Sequence, residues 1–209
     1  MSDPRPLVVK IGGGLLRDEG LDGLRRACAE VNEIAVRRRV LVVPGGGPFA
    51  DAVRAVDAQV GLGDAVAHRL ALHAMDQLGV LLAPLLAGDE ISVLPVAQTF
   101  SGSPEIPESW AITSDSLAVF AAAAIGADET VLLKPVAGVV ERWPSDDPPL
   151  AELTADQLES LQAAGGGRAV DPYLAEAVCR TGITVIVRAP GSRSGTRITP
   201  LNVRRWRFN

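Results

Sequence analysis

Leu7-Val8-Val9-Lys10-Ile11-Gly12-Gly13-Gly14-Leu15 is a short apolar run that closes on a lysine and three glycines. Such a run suits a strand of a parallel sheet, buried on both faces, and a loop of glycines leaves no Cβ atom between an anion and the backbone N–H groups. With one ammonium group beside it, the loop is a candidate phosphate site. Glycine runs also form ordinary tight turns, and this stretch alone does not separate the two readings.

The residues that follow repeat the pattern. Leu21, Leu24, Cys28, Val31 and Ile34-Ala35 recur at helical spacing, and Arg37-Arg38-Arg39 closes that helix where cations suit its dipole. Val40-Leu41-Val42-Val43 is a second buried strand, running into Pro44-Gly45-Gly46-Gly47-Pro48. One βαβ unit therefore brings two glycine loops to the same sheet edge. Neither is a Walker loop, since the chain has no Gly-Lys pair, and neither is the dinucleotide fingerprint G-x-G-x-x-G.

Further along, the residues from about 63 to 82 read as a long helix with Val66, Leu70, Ala71, Ala74, Met75 and Leu78 on its apolar side. His68 and His73 lie on it about 140° apart, a poor arrangement for a metal pair, and His68 is a candidate pocket residue. Ile91 to Val96 is a strand, and the Ser/Gly/Pro-rich segment from Gln98 to Ser109 is a loop long enough to cover a substrate. Ser114, Asp115 and Ser116 lead into an alanine-rich helix, where Asp115 could cap the helix or serve a site. Glu129 to Leu133 is a further apolar strand, ending at Lys134. Thr154 and Gln157 form a capping box, a helix runs from about 172 to 180, and Ile183 to Val187 and 195 to 198 read as strands, the last at an edge. The stretch from Trp143 to Leu150 reads as a surface excursion. Strands alternating with helices from end to end predict an α/β fold, a three-layer α/β/α sandwich around a mainly parallel sheet, in a single domain over residues 1–209.

Composition narrows the function. A net charge of −5 and a pI near 5.1 argue against a nucleic-acid partner, and the basic run Arg204-Arg205-Trp206-Arg207 reads as a solvated terminus. Cys28 and Cys179 sit in helical patterns without metal spacing and read as buried free thiols of a reducing compartment. No run reaches the roughly 18 apolar residues of a membrane span, and the N-terminus lacks a signal-peptide pattern, so the expected location is the cytoplasm. Of the 20 basic residues 18 are arginine, and the two lysines, Lys10 and Lys134, both follow apolar β-type runs. In a doubly wound sheet those strand ends face the ligand crevice, where two compact ammonium groups can converge on one anion.

The order of these motifs resembles the amino acid kinase superfamily: strand-Lys-x-Gly-Gly, strand-Gly-Gly-Gly, an aspartate before a helix, a nucleotide turn after the next strand, and a Gly-Thr end. Pro44-Gly45-Gly46-Gly47-Pro48-Phe49-Ala50-Asp51, Ala67-His68 with Ala74-Met75, and Thr113-Ser114-Asp115-Ser116 are most similar to the small kinases of methanofuran biosynthesis, which phosphorylate an aminomethylfuran phosphate. The resemblance implies ATP with Mg²⁺, few of whose ligands come from protein carboxylates, a small phosphorylated acceptor, and a homo-oligomer, with the exposed side of the 63–82 helix as its candidate interface. It further implies that Lys10 reaches the transferring phosphoryl group and that Asp115 orients the lysines. Gly12, Gly13 and Gly14 would cradle phosphates; Gly45, Gly46 and Gly47, with Asp51, His68 and Ser114, would form the acceptor side. Three departures stand out. Gly14 replaces a common serine; Lys134-Pro135-Val136-Ala137-Gly138 lacks the aspartates of the usual nucleotide turn; and the later Gly-Gly-Met-x-x-Lys segment, source of a second catalytic lysine, is represented only by Gly165-Gly166-Gly167-Arg168. Lys134 or Arg168 would take that lysine's place. The alternatives are a non-catalytic nucleotide- or anion-binding member, or a uridylate- or acetylglutamate-type kinase.

Overall fold

The computed structural model describes residues 4–200, so the basic run at 204–207 lies outside the described residues. The chain proceeds through β1 (Leu7–Ile11), α1 (Gly13–Ala35), β2 (Val40–Pro44), α2 (Gly47–Val60), α3 (Asp64–Leu82), β3 (Ile91–Val93), α4 (Val96–Phe100) and α5 (Ser114–Ala124). It continues with β4 (Glu129–Leu133), β5 (Glu152–Thr154), α6 (Ala155–Ala163), α7 (Leu174–Thr181), β6 (Thr184–Arg188) and β7 (Thr196–Thr199). The sheet order is β3-β2-β1-β4-β6-β7-β5, with every neighbouring pair parallel except β6 with β7. β1 lies inside the sheet between β2 and β4, fully buried.

Side-chain alternation along the strands divides the core in two. Leu7, Val9 and Ile11 of β1 join Val131 and Leu133 of β4 beneath α1, while Val8 and Leu132 lie on the opposite face with Leu117 and Phe120 of α5. Lys10 has the parity of Val8, and Lys134, one residue past β4, has that of Leu132. Both lysines therefore leave the sheet on the face that α5 covers, and Lys10 pairs in register with Leu132.

Several expectations change. The first glycine loop is itself helical: α1 begins at Gly13 and is interrupted at Gly20, whose φ of 63° belongs to the left-handed region. The α3 helix is found with Ala71, Ala74, Met75 and Leu78 on its packed side as expected, but Val66 and Leu70 lie off that side. Ala67, His68, Ala71, Leu72, Ala74, Met75 and Leu78 are buried, whereas Val66 and Leu70 face outward with Val80 and Leu81. Small alanines let α3 lie close to its neighbours, so the side chosen by packing is not the side with the largest residues. The strand read at 91–96 stops at Val93, and α4 occupies the start of the segment read as a loop, its N–H groups at Val96 and Ala97 donated to Asp76. β7 is interior rather than an edge, because the three-residue β5 pairs along its outer side. Cys28 is buried as expected, while Cys179 is only half-buried.

Candidate active site

At the carboxyl ends of β1, β2 and β4 lies a cavity of about 300 Å³. Its floor is an ionic cluster. Lys10 Nζ stands 2.8 Å from Asp115 Oδ1, and Lys134 Nζ donates to Asp115 Oδ2 at 2.6 Å, so one carboxylate in the first turn of α5 holds both lysines of the chain. Lys10 and Asp115 are 4% and 2% exposed, shut away from bulk water. Burial works to raise Asp115, but the two ammonium groups hold it well below the usual carboxylate range. Burial also pushes Lys10 down to about 8, with Asp115 opposing and Lys134 reinforcing that shift. The shared carboxylate is thus lowered by two cations, while Lys10 is lowered first by its burial and then by Lys134, against the pull of Asp115.

Behind Asp115 stands a second buried acid that the sequence reading passed over. Asp171 Oδ2 accepts from Thr113 N–H at 2.9 Å, Thr113 Oγ1 at 2.9 Å and Ser116 N–H at 3.0 Å, and Oδ1 accepts from Ser116 Oγ at 2.5 Å. It thereby caps α5 from outside the helix, while its own backbone N–H donates to Asp115 Oδ2 at 3.1 Å. Burial and the charge of Asp115 push Asp171 up to about 6, against the hydrogen bonds from Ser116 and Thr113. Gly166-Gly167-Arg168-Ala169-Val170-Asp171 repeats the spacing Gly-Gly-Met-x-x-Lys, with an acid where that pattern has its lysine. That spacing was the available signal. Here the second ammonium comes from Lys134, whereas Arg168 lines the cavity and donates through Nε to Gly165 O at 3.2 Å.

The two glycine loops interlock. A Cβ on Gly13 would sit 2.0 Å from Gly47 N, and one on Gly45 would sit 2.4 Å from Gly13 N, so these glycines are required by loop-on-loop packing. Two of the loop amides are committed within the protein, one from the expected phosphate cradle and one from the expected acceptor side: Gly12 N–H donates to Leu133 O at 2.8 Å and Gly45 N–H to Ile11 O at 2.9 Å. Gly13 and Gly14 open α1, and Gly46 and Gly47 open α2, neither helix having a side-chain cap. All four residues line the cavity, which sets two uncapped helix starts beside the lysines, an arrangement suited to anions. Gly45 and Gly138 do not line it. Gly138 is glycine because a Cβ there would lie 2.6 Å from Thr196 Oγ1.

The cavity has two sides. Toward β2 and β3 its wall carries Asp51, Arg54, His68, Ala71, Leu72 and Met75, closed by Trp110 and Ile112 from the segment before α5. Trp110 is fixed by its Nε1 donating to Asp57 Oδ2 at 2.9 Å and by the Arg54 guanidinium 4.7 Å from its ring centre. Asp51 is paired with Arg54 at 2.9 Å and with Arg17 at 3.5 Å. On the other side stand Lys134, Pro135, Val136, Arg168 and the half-exposed Trp143. Trp143 thus borders the cavity from within the segment read as a mere surface excursion. Ser114 lies on the floor next to Asp115. The arrangement can bind two anionic groups end to end over a pair of ammonium groups, the requirement of phosphoryl transfer. Among the described residues no three His, Cys, Asp or Glu side chains group as a metal site, and no helix is long and apolar enough to cross a membrane.

The amino acid kinase family model matches residues 5–93 and 80–189, and the chain belongs to that family of phosphotransferases. Among curated proteins it is similar to the [5-(aminomethyl)furan-3-yl]methyl phosphate kinase of Methanocaldococcus jannaschii, 27% identical over 154 residues that cover 66% of this chain and 69% of that one. A uridylate kinase of Methanoregula boonei is 29% identical over 208 residues, covering 88% and 86%. Among solved structures, the uridylate kinase of Archaeoglobus fulgidus superposes with a TM-score of 0.69 at 21% identity, covering 92% of this chain and 99% of that one, a likeness of fold.

Proposed function

We propose that the protein transfers the γ-phosphoryl group of ATP to a small phosphorylated acceptor, and that the acceptor is [5-(aminomethyl)furan-3-yl]methyl phosphate. The observation that carries this reading is the clamp of Lys10 and Lys134 on Asp115 between two uncapped helix starts. In the transfer, an oxygen of the acceptor phosphate bonds to the γ-phosphorus as the bond to the β–γ bridging oxygen breaks, giving a diphosphate and ADP. Lys10 and Lys134 neutralise the moving charge, Asp115 fixes their positions, and the starts of α1 and α2 bind the phosphates. Nucleotide lies on the side of Lys134, Val136, Arg168 and Trp143, and acceptor on the side of Gly46, Gly47, Asp51 and His68. Mg²⁺ bound with ATP would add to the charge neutralisation that Lys10 and Lys134 provide, with few protein carboxylates needed to hold it. Recruitment of Lys134 to the place of the late lysine supports catalysis over a non-catalytic binding role. The outward Val66, Leu70, Val80 and Leu81 of α3 support a homo-oligomer.

The test is incubation with Mg²⁺-ATP and the furan phosphate, following ADP release and the diphosphate by phosphorus NMR. Turnover by the wild type, and its loss by orders of magnitude in folded Lys10→Ala and Asp115→Asn, is the expected result. Turnover of UMP or N-acetylglutamate instead of the furan would move the acceptor assignment to those kinases. The broad coverage by the uridylate kinase relative is what favours UMP as the second acceptor to try.

A further inference from the structure

We infer that His68 is a specificity-determining residue whose Nε2 accepts a hydrogen bond from an amine on the acceptor, so that the acceptor class is an amine-bearing organic phosphate. The inference rests on the kinase reading above and adds which group of the acceptor is recognised, and by what.

His68 lies on α3 in the acceptor-side wall, 3% exposed, with Ala71, Leu72 and Met75 as its neighbours along that wall. Its Nδ1 is 3.3 Å from the Ser109 carbonyl oxygen. A carbonyl only accepts, so Nδ1 carries the hydrogen, and in the neutral ring Nε2 is a bare lone pair. That atom is shut from solvent and has no partner among the described residues. A buried unpaired acceptor is costly, and a ligand donor that reaches it meets no competing water. Of the two ring nitrogens, Nδ1 meets a carbonyl, and Nε2 meets no partner among the described residues.

The carboxylates that line the cavity are already engaged. Asp18 is paired with Arg17 at 2.8 Å, Asp51 with Arg54 at 2.9 Å, and Asp115 with both lysines. The apolar side chains of the wall offer no acceptor. An ammonium group entering this side, with the acceptor's phosphate directed toward the lysines, therefore finds an uncommitted acceptor in His68 Nε2, to which it donates a hydrogen bond. A hydrogen bond involving a charged donor is worth about 10- to 100-fold in affinity.

The experiment compares [5-(aminomethyl)furan-3-yl]methyl phosphate with the analogue bearing methyl in place of aminomethyl, in wild type, His68→Asn and His68→Gln. Binding is followed by tryptophan fluorescence, and kcat/KM by ADP release. Asn keeps a donor for Ser109 but lacks an atom at Nε2, and Gln places an amide oxygen near it. The expected result is that wild type prefers the amine by about 10- to 100-fold, that His68→Asn binds both compounds alike with KM for ATP unchanged, and that His68→Gln recovers part of the preference. Equal binding of both compounds by wild type, or an equal loss for both in His68→Asn, overturns the role of His68 while leaving the kinase reading intact. Failure of wild type to bind or phosphorylate either furan overturns the acceptor assignment and this inference together.

Discussion

Lys134 Nζ and Asp115 Oδ2 stand 2.6 Å apart across the gap between the end of β4 and the start of α5. Since Lys10 takes the other oxygen of the same carboxylate, removing either lysine leaves a buried acid with half its compensation and a phosphoryl group with half its positive surroundings. Lys134→Met is expected to lower kcat by about 10²- to 10³-fold, the usual effect of deleting one charge-stabilising group at a transition state. Lys134→Arg is expected to recover little, because a planar fork does not replace a compact ammonium in this contact. Steady-state kinetics beside a thermal melt check both; full activity in Lys134→Met would remove Lys134 from the chemistry.

Asp171 fastens the start of α5, and its loss is primarily a loss of stability. Asp171→Ala strands the N–H groups of Thr113 and Ser116 and the Ser116 hydroxyl, a cost of about 2–4 kcal/mol, measured by urea unfolding. The pH dependence has a definite sign. A carboxyl raised from 3.8 to about 6 binds its proton more tightly in the folded chain, so the contribution of Asp171 to stability grows as pH falls from about 6 toward 4. Wild type should therefore gain on the non-titrating Asp171→Asn over that interval, and a difference between the two that stays constant with pH would contradict the raised value.

Much of this architecture was legible, and the reasons are local. β1, β2 and β4 are built on short apolar runs, and Lys10 and Lys134 directly follow two of them; that both lysines share one face is set by the β1–β4 register, which pairs Lys10 with Leu132. Asp171 was not legible from its surroundings, because its partners Thr113 and Ser116 lie 58 and 55 residues away. β5 is three residues long and shows no period, and α3 turns on alanines whose small size hides which side is packed. Both glycine runs could be read as loops at one edge of the sheet, but the packing of one against the other, which spends the amides of Gly12 and Gly45, is a tertiary fact.

That packing gives a contrast between neighbouring glycines. Gly13→Ala puts a Cβ 2.0 Å from Gly47 N, where only backbone can yield, and should cost about 3 kcal/mol and most of the activity. Gly14→Ser meets Pro135 Cγ at 3.2 Å, a contact that needs a shift of only tenths of an ångström. It should cost less than about 1 kcal/mol. Denaturant melts of the two variants decide: equal losses would mean that the loops do not interlock as described.

The alkaline side of the pH–rate profile belongs to Lys10. Its ammonium is needed in the charged form to meet the transferring phosphoryl group, and burial brings it down to about 8. For the free enzyme, log kcat/KM for ATP should fall with a slope near −1 above about pH 8. The profile of kcat should break at higher pH, because bound phosphates favour the cation. The sign for stability is opposite to that for activity. The unfolded chain holds this proton more tightly than the folded one between about 8 and the ordinary lysine value of 10.5, so the contribution of Lys10 to stability rises with pH over that interval while activity declines. Loss of rate above pH 8 without loss of the folded fraction is thus the expected signature, read by kinetics and circular dichroism on the same samples. Lys10→Arg should lack the break near pH 8 at a much lower overall rate, because its guanidinium stays charged throughout. An unchanged break near pH 8 in that variant would assign the alkaline limb to another group.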